Sequence, residues 1–108
     1  MEKGLFNITS ATTTTLVTKG KGGGRSSIIR ITNIDDPMTS SGIVYVSLYL
    51  DDDTNQTYFF KKRPIFANEI IELNNIAFDS IALGLKLKTE IGHTANSSWG
   101  VNINVILK

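Results

Sequence analysis

The stretch WGVNINVILK, residues Trp99 to Lys108, decides the fold because its apolar side chains recur at every second position. A period of two is the spacing of a β-strand, in which successive side chains point to opposite faces of a sheet. One face carries Trp99, Val101, Ile103, Val105 and Leu107, and the other carries Gly100, Asn102, Asn104 and Lys108. The pattern therefore predicts a strand with one dry face and one wet face.

The same period recurs along the chain. IVYVSLYL (43–50) places valines and leucines on one side and tyrosines and a serine on the other, and ALGLKLK (82–88) alternates leucine with glycine and lysine. Shorter segments rich in β-branched or aromatic residues lie at 5–9, 14–18, 27–34, 57–62 and 69–74. Turn-forming residues separate them at 20–24, 35–42, 51–55, 63–68 and 92–98. These segments amount to about eight strands.

Short strands at intervals of roughly ten residues are typical of an antiparallel β-sandwich. The 108 residues match the size of one domain, so we predict a single all-β domain over 1–108, with jelly-roll or Ig-like topology. Trp99 is expected to be the largest core side chain.

Composition excludes several classes of function. The net charge of +1 gives no general attraction to nucleic acid or to an anionic membrane, and the absence of cysteine excludes disulfides and thiolate zinc sites. The amino end has no signal-peptide pattern, and no apolar run is long enough for a membrane helix. We therefore expect synthesis in a cytosol, with neither nucleic acid nor membrane as a partner.

The glycine-rich stretch KGKGGGRSS (19–27) resembles a phosphate-binding loop only superficially. A P-loop requires G-x-x-x-x-G-K-[ST] between a strand and a helix. Here the match is one residue short, Arg25 stands in the lysine position, and a strand pattern follows. We expect instead a loop that becomes ordered at an interface, with Lys19, Lys21 and Arg25 meeting acidic groups of a neighbouring subunit.

Catalytic and metal-binding patterns are equally incomplete. The run Asp51 to Asp53 lacks the glycine and glutamate of an EF-hand, although three clustered carboxylates leave a simpler calcium site open. His93 is the only histidine, and no serine has nucleophile-elbow spacing. The sequence thus predicts no enzyme and no cofactor, with a hydrolase that uses His93 as the weakest alternative.

Aromatic residues on both faces of the hairpin formed by the strands at 43–50 and 57–62 suggest a contact surface. Tyr45 and Tyr49 lie opposite the valine and leucine face, while Tyr58 and Phe60 alternate with Phe59. Apolar side chains on the outer face of a sheet mark a protein interface when no loop covers them. Tyr45 and Tyr49 are therefore candidate interface residues.

The ordered series IIRITNID, VSLYLDDDTNQTYFFKKRPIFANEIIELNNIAF, ALGLKLKT and SSWGVNINVIL resembles small virion proteins of tailed phages, especially of marine cyanophages. The resemblance covers about residues 28–107, and its distinctive segment is Pro-Ile-x-Ala-Asn-Glu. In place of the "LYTVPAG" segment common to that group, this chain has TTTTLVTKGKGGGRSS. The matching positions are Asn33, 64–69, Glu72, Leu73 and 99–107.

The resemblance implies a non-enzymatic virion protein that is assembled in the host cytoplasm and binds other virion proteins. Capsid decoration, or cement, is the first expectation, as a homo-oligomer for which a trimer is favoured. Alternatives are a neck, tail or fibre component, or a carbohydrate-binding sandwich that uses Tyr45, Tyr49 and Trp99.

Overall fold

The computed structural model describes residues 4–20, 25–35, 43–92 and 101–108. These residues form eight strands joined by turns and loops, which confirms the predicted all-β chain. The strands are β1 (Gly4–Ile8), β2 (Thr13–Val17), β3 (Arg25–Asn33), β4 (Ile43–Asp51), β5 (Gln56–Phe66), β6 (Ile70–Ala77), β7 (Gly84–Ile91) and β8 (Ile103–Leu107).

The strands form two antiparallel four-stranded sheets that pack as a sandwich. Sheet A has the order β1-β8-β3-β6 and sheet B has the order β2-β7-β4-β5. The pairs β4–β5, β3–β6, β2–β7 and β1–β8 are nested around the β4–β5 turn, as if one long hairpin had been rolled into two layers. Of the two topologies that the sequence left open, the chain thus adopts the jelly roll.

One hydrophobic core lies between the sheets and takes side chains from all eight strands. In the closing segment Val101, Ile103, Val105 and Leu107 are at most 2% exposed, so the alternation that predicted a dry face is confirmed. Full burial of an aliphatic side chain contributes about 1.5–3 kcal/mol, and such residues supply most of the stability. Trp99, expected as the largest core side chain, lies outside the described residues.

Strand β5 departs from the alternating pattern. It is an edge strand of sheet B, and its register against β4 shifts twice, so that β5 holds one extra residue between Arg63 and Phe60 and another between Phe60 and Tyr58. At the first bulge Lys62 has a φ of 52°, and its N–H donates to the buried Oγ of Ser47 at 2.9 Å.

The turn predicted over 63–68 is wrong for residues 63–66, because β5 continues to Phe66. The sequence signal for that turn was Pro64. An edge strand tolerates proline, since one side of its backbone has no partner strand that needs the missing N–H.

Candidate interaction surface

The turn between β4 and β5 lies next to Lys19, one of the predicted interface residues. The ammonium group of Lys19 donates to the carboxylate of Asp53. Lys86 of β7 donates to Oδ2 of Asp51 at 2.9 Å. Both lysines are therefore paired within the chain. Lys19 remains partly exposed, so its predicted contact with an acidic neighbour stays a prediction.

The aspartates of this hairpin hold its own backbone in a turn. Oδ1 of Asp51 accepts the N–H of Asp53 at 2.8 Å, and Oδ1 of Asp52 accepts the N–H groups of Thr54 and Asn55 at 2.9 and 2.6 Å. The hydrogen bond from Lys86 and that of the Asp53 amide lower the pKa of Asp51 below 3.8, and the two amide hydrogen bonds lower the pKa of Asp52.

These contacts give the calcium alternative no structural support. The carboxylates of Asp51 to Asp53 face separate amides and lysines instead of a shared point where a cation could bind. Among the residues that the structure describes, no three acidic or histidine side chains are grouped as metal ligands.

The other two cations of the glycine-rich stretch, Lys21 and Arg25, are also predicted interface residues. Lys21 lies outside the described residues, as does His93. For Arg25 the structure gives the backbone, which begins β3 and pairs with Ala77 of β6. The predicted contact surface of the glycine-rich loop thus remains a prediction.

Tyr45 and Tyr49 lie on the outer face of sheet B, as the alternation predicted, but they present less surface than expected. Tyr49 is only 4% exposed, because it lies in register between Tyr58 of β5 and Lys86 of β7, with the two tyrosine rings 5.1 Å apart. Tyr45 is half-buried. Neighbouring strands therefore cover most of the Tyr49 ring, and the role of Tyr45 and Tyr49 as interface residues stays a prediction.

On the outer face of sheet A, three aliphatic side chains are more than half exposed to solvent. Leu5 is 81% exposed, Ile70 is 59% exposed, and Ile34, just beyond β3, is 52% exposed. Leu5 lies directly opposite Ile106, which is half-buried on the same face. We call this surface the sheet A face, formed by Leu5, Asn7, Ile28, Arg30, Thr32, Ile34, Ile70, Glu72, Asn74, Asn102, Asn104, Ile106 and Lys108.

Amides, the hydroxyl of Thr32, the side chain of Lys108 and one ion pair make up most of the rest of the sheet A face. Arg30 and Glu72 are register partners on β3 and β6, and Nε of Arg30 donates to the glutamate carboxylate at 2.8 Å. Asn7 and Asn104 are register partners on β1 and β8. The described part of this face thus combines apolar side chains with an ion pair and uncharged amides. This composition is typical of a surface that is desolvated on contact with another protein.

A cleft of about 330 Å³ opens at one end of the sheet A face. Its size is at the low end of the range for small-ligand pockets and leaves room for a protruding side chain. It is lined by Asn7, Ile8, Thr9, Ile34, Asn102, Ile103 and Asn104.

The segment that carries the resemblance to virion proteins, Pro64 to Glu69, forms a corner where the chain passes from sheet B to sheet A. Glu69 accepts the N–H of Phe66 on Oε1 at 2.8 Å and donates its own N–H to the Phe66 carbonyl at 3.0 Å. Asn68 has a φ of 65°, a left-handed conformation that asparagine tolerates. Its N–H donates to the carbonyl of Asn33 at 2.8 Å. The polar residues of this segment therefore have a structural role.

Sequence reasoning missed Leu5, Ile34 and Ile70 as surface residues. A usable signal was present in the closing strand, where Ile106 breaks the polar side formed by Asn102, Asn104 and Lys108. An apolar residue on the polar side of an alternating strand indicates an exposed contact, but the neighbouring strands must be known before several such residues can be grouped.

No family model, curated protein sequence or solved structure matches this chain. Within the described ranges, no helix has the length and apolar character needed to cross a membrane.

Proposed function

We propose that this chain is a non-enzymatic structural protein of a tailed-phage virion, and first among such roles a capsid decoration or cement protein. The observation that carries the proposal is the sheet A face, where Leu5, Ile34 and Ile70 expose large apolar side chains on a rigid sheet. Several exposed apolar side chains on one face of a sheet are a feature of protein contact surfaces. The protein would act by burying that surface against other virion subunits, further copies of this chain included.

The jelly-roll topology supports this role by analogy, because viral capsid domains use the same architecture. The fold also serves lectins and other proteins, so the analogy does not carry the proposal alone. Stabilisation by decoration needs no chemistry: a subunit that binds only the assembled shell shifts the equilibrium toward that shell. A homo-oligomer would multiply each contact.

The alternative roles differ in the support that they have. A neck, tail or fibre component would use the same surface, so it remains the alternative within the virion class. The carbohydrate-binding alternative loses support because Tyr49 is covered by Tyr58 and Lys86, leaving half-buried Tyr45 as the remaining described aromatic of its proposed platform. Trp99, its third member, and His93, the residue of the hydrolase alternative, lie outside the described residues.

The test is to find the chain on virions. Particles would be purified from infected cells that express the protein, analysed by mass spectrometry, and imaged by electron cryo-microscopy with an antibody fragment against the recombinant chain. A decoration protein should be present in many copies and should label the capsid surface. Label on the neck, tail or fibres would move the role to the alternative, and absence from particles while the chain is abundant in the cells would reject both.

A further inference from the structure

We propose that the sheet A face binds a second copy of this chain, so that two sandwiches associate face to face around a two-fold axis. This inference rests on the proposed role as an assembling structural protein, and it names the partner and the surface. The same patch on both subunits must then complement itself. Three properties of the face meet that requirement.

The first property is the charge arrangement. Arg30 and Glu72 lie side by side, each side chain is 37% exposed, and their charges cancel. A neighbouring pair of opposite charges can complement the same pair in an inverted copy, because each cation can meet the carboxylate of the other subunit. A face with charge of only one sign would repel itself.

The second property is the chemistry of the amides. Asn7, Asn102 and Asn104 carry side chains that both donate and accept hydrogen bonds. Such groups pair with identical groups in a second copy, so that they need not be left unsatisfied when water is expelled. Nδ2 of Asn102 already donates to Asp35 at 2.7 Å and retains further capacity to donate and accept.

The third property is shape. Leu5 protrudes, with 81% of its surface exposed, while the cleft beside Ile34 is recessed on the same face. A protrusion and a recess on one surface allow two inverted copies to interlock. Ile106 adds apolar area beside Leu5, and Ile70 adds it at the opposite edge of the sheet, on β6.

The size of the face sets the expected affinity. Four strands spaced about 4.8 Å apart give a face roughly 20 Å wide, which is about 30 Å long at β3 but only about 17 Å long at β1 and β8, where each strand has five residues. Such a face is smaller than most stable specific interfaces, which bury at least about 1,200 Å² in total over both partners, and has the size of a weak, transient one. We therefore expect a readily reversible dimer with a dissociation constant of about micromolar or higher.

The first experiment compares two isoleucines of similar exposure. Sedimentation equilibrium of the 11.8 kDa chain over a range of concentrations should give a species of twice this mass. Ile70→Lys on the sheet A face should weaken association at least tenfold. The matched control is Ile81→Lys, because Ile81 is 68% exposed in the turn before β7, away from the sheet A face, and it should leave association unchanged.

A charge-exchange experiment tests the two-fold contact without relying on apolar residues. Arg30→Glu leaves two carboxylates at the site, and Glu72→Arg leaves two guanidinium groups, so each variant alone should associate at least tenfold more weakly than the wild type. An equimolar mixture should recover association, because the two variants then meet with opposite charges. Circular dichroism would establish that each variant is folded.

A wild-type chain that stays monomeric at millimolar concentration, a trimer, or association that neither Ile70→Lys nor the charge exchange alters would overturn this proposal. Its outcome is separable from that of the proposed function. A dimer that is absent from virions would support the interface and reject the virion role. A monomer that is found on virions would reject the interface and support the virion role.

Discussion

The side-chain amide of Asn33 in sheet A donates a hydrogen bond to the carbonyl oxygen of Ile65 in sheet B, 3.1 Å away. Asn33 is fully buried, and its Oδ1 accepts the N–H of Asp35 at 3.1 Å. Its backbone exchanges hydrogen bonds with the corner, donating to Glu69 and accepting from Asn68. One residue therefore fixes the end of β3, the β5–β6 corner and the distance between the sheets.

Replacing this side chain should destabilise the sandwich strongly. Asn33→Ala leaves the Ile65 carbonyl and the Asp35 amide without their present partner and opens a cavity, so we expect a loss of about 2–4 kcal/mol in the free energy of unfolding. Urea unfolding followed by circular dichroism would measure it. Asn74→Ala, at an exposed asparagine of β6, is the control and should change stability by less than about 0.5 kcal/mol. Equal effects from both variants would contradict the structural role of Asn33.

A second prediction concerns the close contact between Gly92 and Tyr45. A Cβ added at Gly92 would lie 2.7 Å from Cε2 of Tyr45 and 3.0 Å from the carbonyl oxygen of Ile43. Gly92→Ala should therefore cost about 1–3 kcal/mol, because the ring or the strand must move.

The clash at Gly92 can be separated into its two parts by a double-mutant cycle. In a Tyr45→Ala background the ring is absent, so Gly92→Ala should cost less, with the remainder due to the Ile43 carbonyl. Thermal unfolding of the four proteins gives the coupling between the two positions. Strictly additive effects would show that the ring does not limit the space at Gly92.

A third prediction concerns the bulge in β5. Ser47 is buried, and its hydroxyl accepts the N–H of Lys62, whose backbone is in the left-handed region. Ser47→Ala removes this acceptor and should cost about 1 kcal/mol in the free energy of unfolding. Thr15→Ala, at an exposed hydroxyl of β2 on the same outer face, should have a smaller effect. Hydrogen exchange of the Lys62 amide should accelerate in the Ser47 variant alone.

Much of the fold could be predicted from local sequence because the alternation of apolar and polar residues is a property of each strand by itself. Val101 to Leu107 show this, since their burial follows from spacing alone. The choice between jelly-roll and Ig-like topology could not be predicted in this way, because it depends on which strands become neighbours across the whole chain.

The candidate surface was less predictable for the same reason. The alternation placed Tyr49 on the correct side of β4, but its burial depends on Tyr58, which two bulges in β5 bring into register with it. In the sequence Leu5 is one more apolar residue of a strand. Its place on an exposed face follows only when β1 is known to lie at the edge of sheet A, beside Ile106. The resemblance drew attention to Asn33, yet its hydrogen bond spans 32 residues and two sheets.

The last prediction is a dependence of stability on pH through Asp51 and Lys86. The hydrogen bond from Lys86, together with that of the Asp53 amide, holds the pKa of Asp51 below its ordinary value of 3.8. A lowered pKa means that the contribution of this carboxylate to stability is fully present above pH 3.8 and is lost as the pH falls through the folded-state pKa. The raised pKa of Lys86, caused first by its hydrogen bond to Asp51, acts in the opposite range, and its contribution is lost as the pH rises beyond 10.5.

Asp51→Asn should therefore be less stable than the wild type at pH 7, and the difference should narrow as the pH falls from about 4 toward 2. The difference in stability between the wild type and Lys86→Gln should narrow over the same pH range, because that variant leaves Asp51 without its ammonium partner. Lys88→Gln is the control on the same strand, since Lys88 is more exposed and its nearest carboxylate oxygen, on Glu90, is 3.9 Å away. Urea unfolding at constant ionic strength from pH 2 to pH 7 would measure these differences. A difference between wild type and Asp51→Asn that stays constant over this range would show that the carboxylate gains nothing from its pairing with Lys86.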